Sequence, residues 1–150
     1  MDKLQINVAL QIQKPPSVVF EAIVNPEHMS GYFISYGSGR MVQGAELIWR
    51  FTEFQGDAPV RVGAVVEGKQ ITFYWDIDGN EMEVNINLSS FGNGDTIVRI
   101  TEGEMVNNGD GVAWLKGNTE GWANFLCCLK AYLEYGINLR KGGFDFRANT

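Results

Sequence analysis

The sequence is short of the residues that mark several specialised protein classes. It has two cysteines, one histidine and four prolines in 150 residues. The two cysteines, Cys127 and Cys128, are neighbours, and a disulfide between adjacent residues would need distorted geometry. We therefore expect reduced thiols and a cytoplasmic protein. One histidine and no C-x-x-C pair leave too few soft ligands for a zinc site, so no metal and no cofactor are predicted.

Long apolar runs and a surplus of positive charge are also missing. Twelve Lys and Arg residues against 18 Asp and Glu residues give a formal charge of −6, which opposes binding to a phosphate backbone. The apolar runs are only a few residues long, and the first 15 residues alternate apolar and polar types. The sequence therefore predicts no nucleic-acid partner, no membrane span and no signal peptide.

The amino-terminal part of the chain alternates and then changes period. Apolar residues at every second position predict a strand over about residues 3–13. The period changes at Lys14-Pro15-Pro16-Ser17, after which helical spacing predicts a short helix ending near Val24. Asn25-Pro26-Glu27 then has a cap residue, a proline and an acid in the order that starts a second short helix.

Five more alternating segments follow, separated by glycine, asparagine or aspartate, and they predict a meander of antiparallel strands. Together with the first strand they make six. Their apolar rows are Ala45-Leu47-Trp49-Phe51, Val60-Val62-Ala64-Val66, Ile71-Phe73-Trp75-Ile77, Met82-Val84-Ile86-Leu88 and Thr96-Val98-Ile100. The last row continues to Glu102, so its phase puts an acid on the apolar side.

The carboxyl-terminal part predicts one long amphipathic helix over about residues 111–137. The fold class is therefore α+β, with a curved six-stranded antiparallel sheet packed around that helix and two short helices after the first strand. A strongly twisted sheet cannot touch one helix along its whole length, so we expect a gap between them. One domain over residues 1–150 is predicted, with a core at about 4–137 and an aperiodic tail at 141–150.

The long helix also carries a resemblance to a known family. Gly121-Trp122, Leu126 and the segment from Leu129 to Gly136 resemble the last helix of the activators of heat-shock-protein-90 ATPase, in the START-like (SRPBCC) helix-grip superfamily of the birch-pollen allergen. Pro15 to Ile23 and Asn25-Pro26-Glu27 resemble its short helices, and Trp49 matches its second strand. The resemblance implies a helix-grip fold with an internal cavity that binds a hydrophobic small molecule or lipid.

Two polar residues stand out against the apolar interior. Glu102 is directed towards the gap, where a carboxylate costs several kcal/mol unless it is paired or hydrated. It could orient a polar ligand group or act as an acid or base; alternatively, a bulge after Ile100 turns it to solvent. Asn118 shares the inward arc of the helix and is either a second polar group of the gap or a partner for buried water.

Aromatic residues of the sheet and the long helix are predicted to line the gap with these two polar groups. They are Trp49, Phe73, Trp75, Trp114, Trp122, Phe125 and Tyr132. The leading hypothesis is binding of an apolar or amphipathic small molecule. One alternative, implied by the resemblance, is a regulator with a chaperone as partner. Another is a cyclase- or hydrolase-like enzyme, which would need two converging polar groups; no catalytic residue is assigned.

Overall fold

The computed structural model of the protein describes residues 2–149. Met1 and Thr150, the ends of the predicted domain and tail, lie outside the described residues. The elements in chain order are β1 Lys3–Ile12, α1 Pro16–Val24, α2 Pro26–Met29, β2 Tyr36–Gly37, β3 Glu46–Arg50, β4 Ala58–Val66, β5 Gln70–Ile77, β6 Asn80–Phe91, β7 Asp95–Val106, α3 Gly109–Tyr135 and a 3-10 helix, Asp145–Asn149.

Within the described residues, seven strands form one antiparallel sheet in the order β1-β7-β6-β5-β4-β3-β2. The predicted number of six is wrong, because the sequence pattern does not predict the short strand β2. This strand has only two residues, Tyr36 and Gly37, which pair with Arg50 and Trp49. Two residues are too few to show a period, so β2 could not be predicted by alternation. The curved sheet and the long α3 fit the helix-grip fold.

The ends of α3 follow from local chemistry. The Asn108 side chain accepts a hydrogen bond from the backbone N–H of Gly111 (2.8 Å), which caps the helix start. Gly136 ends the helix in the left-handed conformation, with φ of 66°, as glycine does most readily. A Cβ atom at Gly111 would collide with the Val106 carbonyl oxygen, so this glycine lets α3 begin directly against β7.

The core lies between the sheet, the two short helices and α3. The predicted phase of β7 is confirmed by its pairing, because Glu102 stands opposite Ile6 of β1 and Val84 of β6. The ladder is irregular only further along, where Gly103 and Met105 face Gln5 and Leu4. The alternative of a bulge that turns Glu102 outward is therefore wrong, and its side chain is fully buried.

The described part of the chain, residues 2–149, contains no helix that is both long and apolar enough to span a membrane.

Candidate functional site

A buried carboxylate connects the sheet to the long helix. Oε2 of Glu102 accepts a hydrogen bond from Nε1 of Trp75 on β5 at 2.6 Å. Its Oε1 accepts one from Nδ2 of Asn118 at 2.9 Å and one from Nε1 of Trp122 at 3.2 Å, both on α3. Asn118 and Trp122 are four residues apart and therefore share one face of the helix. We call these four residues the Glu102 cluster.

The Glu102 cluster satisfies a group that would otherwise be costly to bury. Glu102 has no ion-pair partner among the described residues, so its oxygens depend on these three N–H donors. Hydrogen bonds to an ionised acceptor are stronger than those between neutral groups. Because both oxygens already accept hydrogen bonds, Glu102 fixes the two indole rings and the Asn118 amide in place.

The indole rings belong to a continuous aromatic network. Trp75 and Trp122 lie 5.6 Å apart between ring centres, and Trp122 is 5.2 Å from Phe125. Phe33, which follows the second short helix, contacts Phe125 edge-on at 4.8 Å. Edge-on and offset contacts at these distances are favourable for aromatic pairs. The network extends from β3 and β5 across the interior to α3.

Beside this network, a cavity of about 340 Å³ opens between the sheet and α3. Its walls come from the end of β5, the loop between β3 and β4, the middle of α3 and the tail after α3. The aromatic residues among those that line it are Phe33, Phe51, Phe54, Trp75, Trp122, Phe125 and Phe144. On the helix, Gly117 and Gly121 leave open space towards the cavity, since a Cβ atom at either would meet no heavy atom within 4 Å.

The predicted site residues are found in three places. Trp75, Asn118, Trp122 and Phe125 line the cavity. Glu102, Trp49 and Phe73 lie behind that wall: Glu102 bonds the wall residues, and the buried rings of Trp49 and Phe73 contact each other and Trp75. Trp114 and Tyr132 lie outside the lining.

The two outlying residues have other surroundings. Trp114 is buried near the start of α3, and its Nε1 has no hydrogen-bond partner within the described chain. Tyr132 is near the other end, where its hydroxyl lies 2.6 Å from Nδ1 of His28. Helical periodicity places both on the inward face but does not show which part of that face remains unfilled.

Part of the wall was missed by sequence reasoning. Arg140 donates two hydrogen bonds to the Glu53 carboxylate, at 3.1 and 2.6 Å, and only 2% of the Glu53 side chain is exposed. The guanidinium carbon of Arg140 also lies 4.7 Å from the ring centre of Phe144. The tail thus packs over the cavity. The tail sequence has no period that predicts this packing. The only signal is the Arg140-Lys141 pair followed by Phe144, a combination of charged and aromatic residues that can pack against a cavity wall.

The lining contains few groups suited to covalent catalysis. Among the described residues that line the cavity, none is Ser, Thr, Cys, His, Lys or Tyr. Tyr32 is in the nearby core, where burial raises its pKa well above the usual 10.0 and its hydroxyl donates to the Ala22 carbonyl (2.9 Å). Within residues 2–149, no group of three or more His, Cys, Asp or Glu side chains could hold a metal ion.

Solved structures share this fold. The crystal structure of SSP2350 from Staphylococcus saprophyticus is 31% identical, with a TM-score of 0.81, covering 91% of this chain and 96% of that one. The solution structure of the Aha1 dimer from Colwellia psychrerythraea is 23% identical (TM-score 0.76; 89% and 98% covered). DynU16 of the dynemicin biosynthetic locus is also 23% identical (TM-score 0.78), and the match covers 89% of this chain but 48% of DynU16.

The likeness to the Colwellia protein and to DynU16, at 23% identity, shows the fold alone. A search of the curated proteins finds no significant match. The family model described as "Activator of Hsp90 ATPase homolog 1-like protein" matches residues 13–134. This range includes α1, α2, all strands from β2 to β7 and nearly all of α3, and it confirms the resemblance seen in the sequence. The chain therefore belongs to the Activator of Hsp90 ATPase homolog 1-like family.

Proposed function

We propose that the protein binds an apolar or amphipathic small molecule in the cavity between the sheet and α3. The observation that carries the proposal is a space of about 340 Å³ that is lined by several aromatic residues and borders the polar Glu102 cluster. Ligand pockets commonly have volumes of roughly 300–1,000 Å³, apolar walls and a few placed polar groups. The cavity has all three properties.

Burial of apolar surface is the source of affinity in this proposal. At about 25 cal/mol per Å², a ligand that removes a few hundred Å² from water gains several kcal/mol before the costs of association. The rings that would make these contacts are held in advance, because the Trp75 and Trp122 indoles are bonded to Glu102. Glu102 is then a positioning residue, which acts on the ligand through the two indoles and Asn118.

The comparisons are compatible with this role. DynU16, which shares the fold, is a protein of the dynemicin biosynthetic locus. The lining, in contrast, favours binding over the cyclase- or hydrolase-like alternative. None of its described residues is Ser, Thr, Cys, His, Lys or Tyr, and two of its three carboxylates, Glu53 and Asp57, are paired with arginines.

A titration with a neutral fluorescent probe, N-phenyl-1-naphthylamine, tests the proposal. We expect saturable binding with an emission increase, and we expect Gly121→Leu to abolish it because a leucine there projects into the cavity. Ala123→Leu is the matched control, since Ala123 is an exposed residue of the same helix outside the lining. Equal binding by the wild type and both variants would contradict the proposed site.

A regulator of a chaperone is the second candidate, in line with the family's description. One observation favours it: four large apolar side chains are exposed around the end of α3 and the tail, namely Tyr135, Ile137, Leu139 and Phe146. Exposed apolar residues that form one patch often mark protein partners. Stimulation of a heat-shock-protein-90 ATPase by the wild type, and its loss in an Ile137→Asp, Leu139→Asp variant, would support this candidate. No stimulation would reject it.

A further inference from the structure

Asn118 is the polar member of the Glu102 cluster that both lines the cavity and has hydrogen-bonding capacity left. The Trp75 and Trp122 indoles can only donate, and each N–H is already used by Glu102. Asn118 donates through Nδ2 to the same carboxylate. Its amide still has an oxygen, Oδ1, and a second N–H.

The carboxylate determines which way the amide faces. Oε1 of Glu102 is already an acceptor for the Trp122 N–H, so an oxygen placed against it would face lone pairs. The NH₂ group of Asn118 must therefore face Glu102, and Oδ1 faces away. The position of an amide oxygen is often ambiguous, but here an acceptor neighbour on one side settles it.

The Asn118 oxygen is left available to a ligand. Within residues 2–149, Glu102 is the only hydrogen-bond partner of the Asn118 side chain, and it is bonded through Nδ2. Oδ1 therefore has no partner, and it is not one of the fully buried polar atoms. Asn118 is half-buried and belongs to the cavity wall. The face of α3 thus presents an acceptor to the cavity that Trp75 and Trp122 also line.

The charges around the cavity favour a neutral ligand over an anionic one. The two cationic residues of the wall already have partners, since Arg140 pairs with Glu53 and Arg147 with Glu120. Asp76, at the end of β5, lies in the lining, and no ion pair between described residues neutralises it. A carboxylate ligand would therefore meet the uncompensated negative charge of Asp76 at the rim.

We propose that the cavity selects aromatic ligands that carry a neutral hydrogen-bond donor, such as a hydroxyl or N–H group, and that Oδ1 of Asn118 accepts this donor. The proposal rests on the proposed function and adds the chemical class of the ligand. A site that accepts one hydrogen bond discriminates against an analogue without the proton, because the acceptor is then buried without a partner.

Three naphthalenes that differ in one group test the proposal by displacement of N-phenyl-1-naphthylamine. 2-Naphthol carries a donor, 2-methoxynaphthalene keeps the oxygen but has no proton to donate, and 2-naphthoate is an anion. For the wild type we expect 2-naphthol to bind about tenfold more tightly than either analogue. In Asn118→Leu the ratio between 2-naphthol and 2-methoxynaphthalene should approach one.

Ala123→Leu is the matched control, because Ala123 is an exposed residue of α3 outside the lining; it should keep the tenfold ratio. The ratio of two affinities within one variant is insensitive to a general loosening of the site. If Asn118→Leu does not fold, the wild-type ranking decides alone. Equal affinities for all three compounds would overturn the donor rule and leave the proposed function standing, whereas failure of the fluorescent probe and all three compounds to bind would overturn both.

Discussion

At the scale of single residues, Glu102 is a buried acceptor surrounded by donors from two packed elements. Its fully buried carboxylate takes N–H groups from β5 and α3. The loss of one donor leaves part of this acceptor capacity unmet, which costs about 1–3 kcal/mol when the group is buried. The cluster therefore contributes to stability as well as to the shape of the cavity.

Trp122→Phe tests this contribution, and Trp114→Phe is its control. Both indoles are nearly buried, at 3% and 6% exposure, but only the Trp122 N–H has a partner in the described chain. Each variant loses ring volume, and Trp122→Phe also loses a hydrogen bond to a buried carboxylate. We expect the free energy of unfolding, from urea titration, to fall by about 1–3 kcal/mol more in Trp122→Phe. Equal losses would contradict the role of the cluster.

At the scale of elements, α3 has residues of low helix propensity where it faces the cavity. Gly117 and Gly121 are one turn apart within the helix, and both line the cavity. A glycine inside a helix is less stable than alanine by roughly 0.5–1 kcal/mol. The absent side chains leave room beside Asn118 and Trp122, so we interpret the two glycines as the cause of the open space on this face.

Gly121→Ala should therefore raise stability and reduce binding together. A Cβ atom at Gly121 meets no heavy atom within 4 Å, so we expect a melting temperature about 1–4 °C higher, from the propensity gain alone. The added methyl group occupies part of the cavity, so the affinity for N-phenyl-1-naphthylamine should fall. Gly109→Ala, at the start of α3 and outside the lining, should not change the affinity. A Gly121→Ala variant that melts below the wild type would refute this interpretation.

A comparison of the elements shows which parts of the fold a local sequence pattern can predict. The long strands and α3 have enough residues for a period. The predicted ranges of β1 and α3, 3–13 and 111–137, differ from the observed Lys3–Ile12 and Gly109–Tyr135 by at most two residues at either end. The apolar rows of β6 and β7 stop at Leu88 and Glu102, whereas the strands continue to Phe91 and Val106. β2 and the 3-10 helix Asp145–Asn149 are too short for a period to appear. They are held by pairing and packing with distant residues.

At the scale of the whole molecule, the tail after α3 lines the cavity and is bonded to the loop between β3 and β4 on the sheet side. Arg140 follows α3, and Glu53 lies in the loop between β3 and β4, yet their side chains form a two-point ion pair. The pair is largely shielded from water, with 16% and 2% of the two side chains exposed. Removal of one partner from a buried pair leaves an uncompensated charge and typically costs about 3–5 kcal/mol.

Arg140→Met should thus destabilise the protein by about 3–5 kcal/mol in urea unfolding, because Glu53 loses its partner. The double variant Glu53→Met, Arg140→Met removes both charges and should recover much of that loss, since two apolar residues of similar size often replace a buried pair at little cost. If the free energy of unfolding of Arg140→Met lies within about 1 kcal/mol of the wild-type value, this ion pair does not hold the tail against the sheet as we describe.

The candidate site was predictable only in part. Glu102 and Asn118 were found because each follows the inward phase of its own element. Trp49 and Phe73 follow the same rule yet fill the core, since a period gives the direction of a side chain and not whether the space in front of it is empty. The contribution of Arg140 and Phe144 depends on contacts across the chain, such as the 87-residue separation of Arg140 from Glu53, which no local pattern encodes.

The central claim is that a small molecule binds beside Trp75 and Trp122, and the indole N–H resonances of the protein test it most directly. In a titration of ¹⁵N-labelled protein with 2-naphthol, we predict saturable shifts for the indole N–H groups of Trp75 and Trp122 and for the Asn118 side-chain amide. The chemical shift of the Trp114 indole N–H should not change, because Trp114 lies outside the lining. Shifts confined to Trp114, or no saturable shift at Trp75 and Trp122, would contradict the account.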